Sequence, residues 1–171
     1  ASLDLDAMEI HRWAGNGPPL IGSYPLAGKM EIPTRLPEKT DGRLPMILQV
    51  MKDLKAAVGH KTALYGLVTG PLTLASHLRG TEIFMDMVRR PEHFHKLMEY
   101  IREVDMRMAE LYVEAGMDVI AIVDPLVSQI SPKQFATYMS EPYKYLFDQI
   151  RKMGRFSSFF VCGDATKNIE A

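Results

Sequence analysis

The feature that most constrains this chain is a rhythm of short, mostly apolar runs set between long helical stretches. Three such runs occur, residues 63–68, 119–123 and 158–161. Each is shorter than an ordinary helix and is bounded by turn residues, the signature of a strand buried on both faces. Between the first two, Phe94, Leu97, Met98, Ile101, Val104, Met108, Leu111 and Tyr112 recur at helical spacing until Gly116. Ahead of the first run, Leu44, Ile47, Met51, Leu54 and Val58 do the same until Gly59. Pro45 and Pro91 stand where proline suits the first turn of a helix. Buried strands alternating with amphipathic helices specify an α/β fold with a parallel sheet. Periodicity leaves open whether that sheet is an open, doubly wound one or part of a closed barrel. Both place their chemistry at the carboxyl ends of the strands.

The remaining punctuation fills in the shorter elements. A helix is expected from Pro71, and Thr81 can cap another that runs to about Arg90. Ser131 and Pro132 give a cap and first turn for a helix carrying Phe135 and Tyr138, and Pro142 is read as restarting a helix to Met153. Residues 1–42 differ in being dense in Gly and Pro, so they are expected to form an irregular leading segment. Within it, residues 3–13 are expected to form a short helix and 19–24 an extended stretch. The whole of 1–171 has the length of a single domain.

Composition narrows the function classes. A formal net charge of −1 gives no basic footprint for nucleic acid or an anionic membrane. No apolar run is long enough to span a bilayer, and the first residues lack the basic start and apolar stretch of a secretory signal. The single cysteine, Cys162, cannot form an internal disulfide, so a reducing cytoplasm is the expected setting. Twelve methionines, spread over several helices, read as pliable core filling.

Three strand ends therefore hold the candidate site residues. Cys162 is either a small buried residue or a zinc ligand or reactive thiol. One cysteine does not make a zinc site, which needs about three protein ligands. Asp124 comes after a fully apolar strand and either caps the next turn or points into the mouth toward a substrate. Asp164, after a glycine at a strand-to-helix junction, reads as a helix cap. The Gly70–Thr73 turn has neither a phosphate-binding nor a dinucleotide fingerprint, yet a tight turn opening a helix can approach an anionic ligand. Gly70 and Thr73 are thus candidate cofactor-binding residues. His93 and His95 read as solvent-side, and the helical Lys, Arg, Glu and Asp as a solvated face.

Taken in order, these stretches resemble a known superfamily. Asp41-Gly42-Arg43-Leu44-Pro45, Gly70-Pro71-Leu72-Thr73-Leu74-Ala75-Ser76 and Leu78-Arg79-Gly80-Thr81-Glu82 carry the resemblance in the first half. Glu114-Ala115-Gly116-Met117-Asp118 with Asp124-Pro125, then Ser131-Pro132-Lys133-Gln134-Phe135, Glu141-Pro142-Tyr143 and Cys162-Gly163-Asp164 carry it in the second. Together they are similar to the uroporphyrinogen decarboxylase and cobalamin-dependent methyltransferase superfamily. The resemblance implies a (β/α)8 TIM barrel about twice this length, of which the chain would hold roughly strands three to five with their helices. Such a piece would leave strand edges open to self-association.

The wording is closer to the methylcobalamin:coenzyme M methyltransferase-like branch. That branch implies methyl transfer between a corrinoid and a thiol, zinc bound by a His-x-Cys pair, and a corrinoid protein or small-molecule substrate as partner. Cys162 matches the cysteine of the pair, while Phe160 stands in the place of its histidine and cannot ligate a metal. Asp124 would be a catalytic residue of the mouth. The alternatives are a uroporphyrinogen decarboxylase, which the resemblance implies needs neither metal nor cofactor, and a catalytically inert binding module or accessory subunit.

Overall fold

A computed structural model of the chain describes residues 23–170. The expectations for residues 3–13 and for most of 19–24 lie outside that range. Residues 23–43 carry turns but neither helix nor strand. From there the elements run α1 (Leu44–Val58), β1 (Tyr65–Thr69), α2 (Pro71–Arg79), α3 (Glu82–Arg89), α4 (Pro91–Glu114) and β2 (Val119–Val123). Next come a 3-10 turn at Pro125–Gln129, α5 (Pro132–Gln134), a π-helical turn at Phe135–Met139, α6 (Ser140–Lys152), β3 (Phe156–Phe160) and α7 (Thr166–Ile169).

The three strands form one parallel sheet in the order β1-β2-β3. Tyr65, Val119 and Phe156 share one register position, and Thr69, Val123 and Phe160 share the last. Because side chains alternate along a strand, Gly66, Val68, Ile120, Ile122 and Phe159 face one way and Tyr65, Leu67, Phe156 and Phe160 the other. The first face is covered by helices. Gly66 lets α4 come close, since a Cβ there would stand 2.9 Å from a ring carbon of Tyr112. Ile101, Leu111, Phe94 and Leu97 of α4, with Leu72, Leu78, Ile83 and Met87 of α2 and α3, complete a fully buried core around Ile120 and Ile122. The second face is open along β1 and β3 among the described residues, where Leu67 is 60% and Phe156 76% exposed, while Val119 and Ala121 of the central strand are buried between them. Sheet, helices on one face and an open inner face are the layers of consecutive βα units from a barrel.

Three elements differ in extent from the sequence expectation. β1 covers Tyr65–Thr69, where the apolar run is 63–68. β3 starts at Phe156, two residues before the apolar run, because pairing is a backbone matter. The Phe156 N–H donates to the Asp118 carbonyl at 3.2 Å, which starts the ladder regardless of the polar side chains of Ser157 and Ser158. Nor does Pro142 restart a helix. Ser131 and Gln134 form a reciprocal capping box, and the helical path continues from Pro132 through the π-turn into α6, with Pro142 near the start of its regular part. The extra residue of the π-turn is absorbed there, without a break.

Candidate functional site

The three strands end level with one another. The Gly70 N–H donates to the Val123 carbonyl at 2.7 Å and the Asp124 N–H to the Phe160 carbonyl at 2.9 Å, extending the ladder one residue past β1 and β2. The segments leaving the strands therefore gather at one end of the sheet: Gly70–Thr73, Asp124 and the turn through Cys162.

Asp124 is fully buried. Its carboxylate accepts from the Leu72 N–H at 2.8 Å, the Thr73 N–H at 3.0 Å, the Thr73 hydroxyl at 2.6 Å and the Tyr143 hydroxyl at 2.5 Å. The first N–H groups of a helix have no partner within it and carry its positive end. Here a carboxylate from a neighbouring strand satisfies them. Burial pushes the Asp124 carboxyl above its usual range, and the donors from Thr73, Tyr143 and Leu72 pull it back. Asp124 thus caps α2, not the turn next to it in sequence, and offers no exposed oxygen to the mouth.

The same contact accounts for Gly70 and Thr73. A Cβ on Gly70 would stand 2.4 Å from the Asp124 Cβ, so the position is glycine to admit the aspartate. The N-terminus of α2 is already occupied by an anion of the protein itself. Tyr143 reaches Asp124 from α6, its ring packed against Phe135, Phe147 and Phe159. One side chain therefore ties β2, α2 and α6 together beneath the mouth.

Cys162 lies two residues beyond β3 and is exposed. It lines a cavity of about 500 Å³ with Phe84, Pro125, Leu126, Ser128 and Gln129. Gly163 has a φ of +103°, and a Cβ there would also crowd the Ser128 hydroxyl at 3.0 Å, so the turn that presents the thiol requires glycine. Asp164, one residue before the N-cap Ala165, accepts from the Thr166 N–H at 3.1 Å at the start of α7, while the buried Asn168 donates to the Val127 and Ile130 carbonyls and holds α7 against the 3-10 turn. Phe160, at the last position of β3, is half exposed on the inner face. Among the described residues no three His, Cys, Asp or Glu side chains converge as a metal-binding group.

Several polar residues carry more than a solvated face. His95 is exposed, but the His93 side chain is only 10% exposed and lies 3.9 Å from Asp86, and burial lowers its pKa. Arg79 is buried at the end of α2, paired with Asp86 and donating to the Leu26 and Lys29 carbonyls, so it pins the leading segment to the helices. Asp105 is buried in α4, with neither oxygen bonded among the described residues. Burial, then the charge of Asp124, pushes its carboxyl well above the usual range. Sequence reasoning overlooked Asp105, although it sits four residues after Ile101 on the apolar stripe of α4. An acid at a core position of a helix was the available signal.

A family model described as Uroporphyrinogen decarboxylase (URO-D) matches residues 7–171. The Methylcobamide:CoM methyltransferase MtaA of Methanosarcina barkeri is 30% identical over 137 residues, which cover 77% of this chain and 40% of the relative. MtbA of Methanosarcina acetivorans, also named a methylcobamide:CoM methyltransferase, is 28% identical over 131 residues, covering 75% and 39%. A uroporphyrinogen decarboxylase of Synechococcus sp. (strain CC9605) is 26% identical over 156 residues, covering 86% and 44%. The chain spans about two fifths of the length of these curated relatives. A solved methyltransferase structure from Methanosarcina mazei superposes with a TM-score of 0.83 at 24% identity, covering 96% of this chain and 50% of that one, and shares the fold.

Proposed function

We propose, from the premise that the chain belongs to the uroporphyrinogen decarboxylase family, that it forms part of a barrel enzyme that moves a methyl group between a methylcobamide and a thiol. The observation that carries this reading is the exposed Cys162 thiol on the cavity at the carboxyl ends of the strands. Relatives named methylcobamide:CoM methyltransferases support it. In this reading the cavity wall from Pro125 to Gln129 shelters the thiol acceptor, and Cys162 is its thiol-site residue. Asp124, Gly70 and Thr73 act as positioning residues that fix one wall of the mouth, replacing the direct catalytic and cofactor contacts expected of them.

Zinc bound at such a site would lower the pKa of a thiol so that a thiolate exists at neutral pH. The described residues do not fit that site on their own. Cys162 has no converging His, Asp or Glu partners, and Phe160 cannot ligate. Cys162 stands as a single prospective ligand, and no step is derived through the metal. A corrinoid protein or corrinoid cofactor is the proposed methyl partner, and a reducing cytoplasm suits the exposed free thiol. The open strand edges are proposed to support self-association. Among the described residues no helix is long and apolar enough to cross a membrane.

The test is methyl transfer from methylcobalamin to CoM, assayed with this chain alone and joined to the complementary portion of the Methanosarcina barkeri relative. Transfer that is lost in Cys162→Ala is the expected result. Unchanged transfer in that variant would remove Cys162 from the mechanism. Decarboxylation is the second reading, favoured by Phe160 in place of a ligand and by the decarboxylase relative that covers 86% of the chain. Carbon dioxide release from a carboxylated porphyrinogen would select it. Corrinoid-protein binding without either reaction would select a binding module.

A further inference from the structure

Three aspartates are fully buried in the helical layer or beneath the mouth, and the fold treats them differently. Asp86 is paired with Arg79 and bonded by Arg90 at 3.1 Å. Asp124 has four donors. Asp105, on α4, has none among the described residues, and both its oxygens are buried. A carboxylate without donors or a counter-ion is costly to bury, and a buried acid in that position neutralises instead. The charge that bears on it is that of Asp124, a like charge. The Tyr143 hydroxyl on α6 feels the same two carboxyls. It is committed to Asp124, and its own ionisation is strongly opposed by burial and by both aspartates. Two buried carboxyls within electrostatic reach of each other, one rich in donors and one without, are a pair whose environments separate their protonation states.

We propose that Asp105 is a built-in proton-binding site: the chain takes up one proton on folding and keeps it at neutral pH, leaving Asp124 as the single anion that caps α2. Below the ordinary aspartate range both folded and unfolded chains hold this proton, and stability does not depend on it. Above that range the unfolded chain releases the proton and the folded chain retains it. Stability therefore falls as pH rises, until Asp105 ionises in the folded state. Ionisation would set a second anion within electrostatic reach of Asp124, with no donor among the described residues to receive it, and would loosen the contact of α4 with the sheet. The device is independent of which reaction the mouth performs.

Urea unfolding of the chain and of Asp105→Asn, from pH 5 to pH 8, tests this. Asparagine keeps the shape and cannot ionise. The effects of Asp124 and of His93, whose lowered pKa acts in the opposite sense, are common to both proteins and cancel in the comparison. The ratio of the folding constant of the variant to that of the wild type is expected to rise about tenfold per pH unit over the range where one proton is retained. A ratio that does not change with pH overturns the proposal. Infrared spectroscopy of the folded wild type at pH 7 decides the matter should the variant fail to fold. A carbonyl stretch from a buried protonated carboxylic acid is expected, and its absence overturns the proposal.

Discussion

Asp124 shows how much of the site can rest on one side chain. Its position at the end of an apolar strand is legible in the sequence. Its partners are not, because Leu72 and Thr73 lie 52 and 51 residues away and only the parallel register brings them together. Local reasoning could assign it to the adjacent turn or to the mouth; the N-terminus of α2 claims it instead. Removing the carboxylate leaves two helix N–H groups and two hydroxyls buried without acceptors, so Asp124→Ala is expected to cost about 3–5 kcal/mol. Tyr143→Phe, which removes one donor and leaves the rest, is expected to cost about 1–2 kcal/mol. Chemical denaturation measures both. An alanine variant within about 0.5 kcal/mol of wild type, the ordinary range for a surface substitution, would contradict the capping role.

At the scale of elements, helices and strands were legible wherever apolar periodicity coincides with backbone pairing. α1, α4 and β2 have the expected extents because both signals agree. β3 departs from its apolar run because the ladder to β2 begins at Phe156, and α5 joins α6 because a π-turn can absorb an extra residue without ending a helix. The closeness of α4 to β1 was not legible, since glycine in a strand says only that something approaches. Here it is Tyr112, with the Met117 side chain 3.2 Å from the same Cβ position. Both contacts are side-chain atoms of a packed helix and its exit, with little room to withdraw. Gly66→Ala is therefore expected to destabilise the chain by roughly 1–3 kcal/mol, the usual cost of overpacking. A melting temperature equal to that of the wild type would mean that α4 can shift away, and that Gly66 does not set the spacing.

Over the whole molecule, the alternation of elements gives the parallel sheet, but not whether helices cover one of its faces or both. Periodicity is equally satisfied by an open sheet, with helices on both faces, and by part of a barrel. The structure has helices on one face, and Tyr65, Leu67, Phe156 and Phe160 stand 54–76% exposed on the other. β1 and β3 each have an unpaired edge among the described residues. A parallel sheet is ordinarily covered on both faces, and an apolar face with open edges is an association surface. The chain on its own is therefore expected to self-associate through this face. Burying one such side chain contributes about 1.5–3 kcal/mol, so the double variant Leu67→Lys/Phe156→Lys is expected to weaken association by on the order of 100-fold or more. Both positions project away from the helical core, so the variant should keep its helical content while it shifts toward the monomer in sedimentation velocity. A wild-type chain that stays monomeric as its concentration rises would show that this face is not sufficient to drive association, however apolar it is.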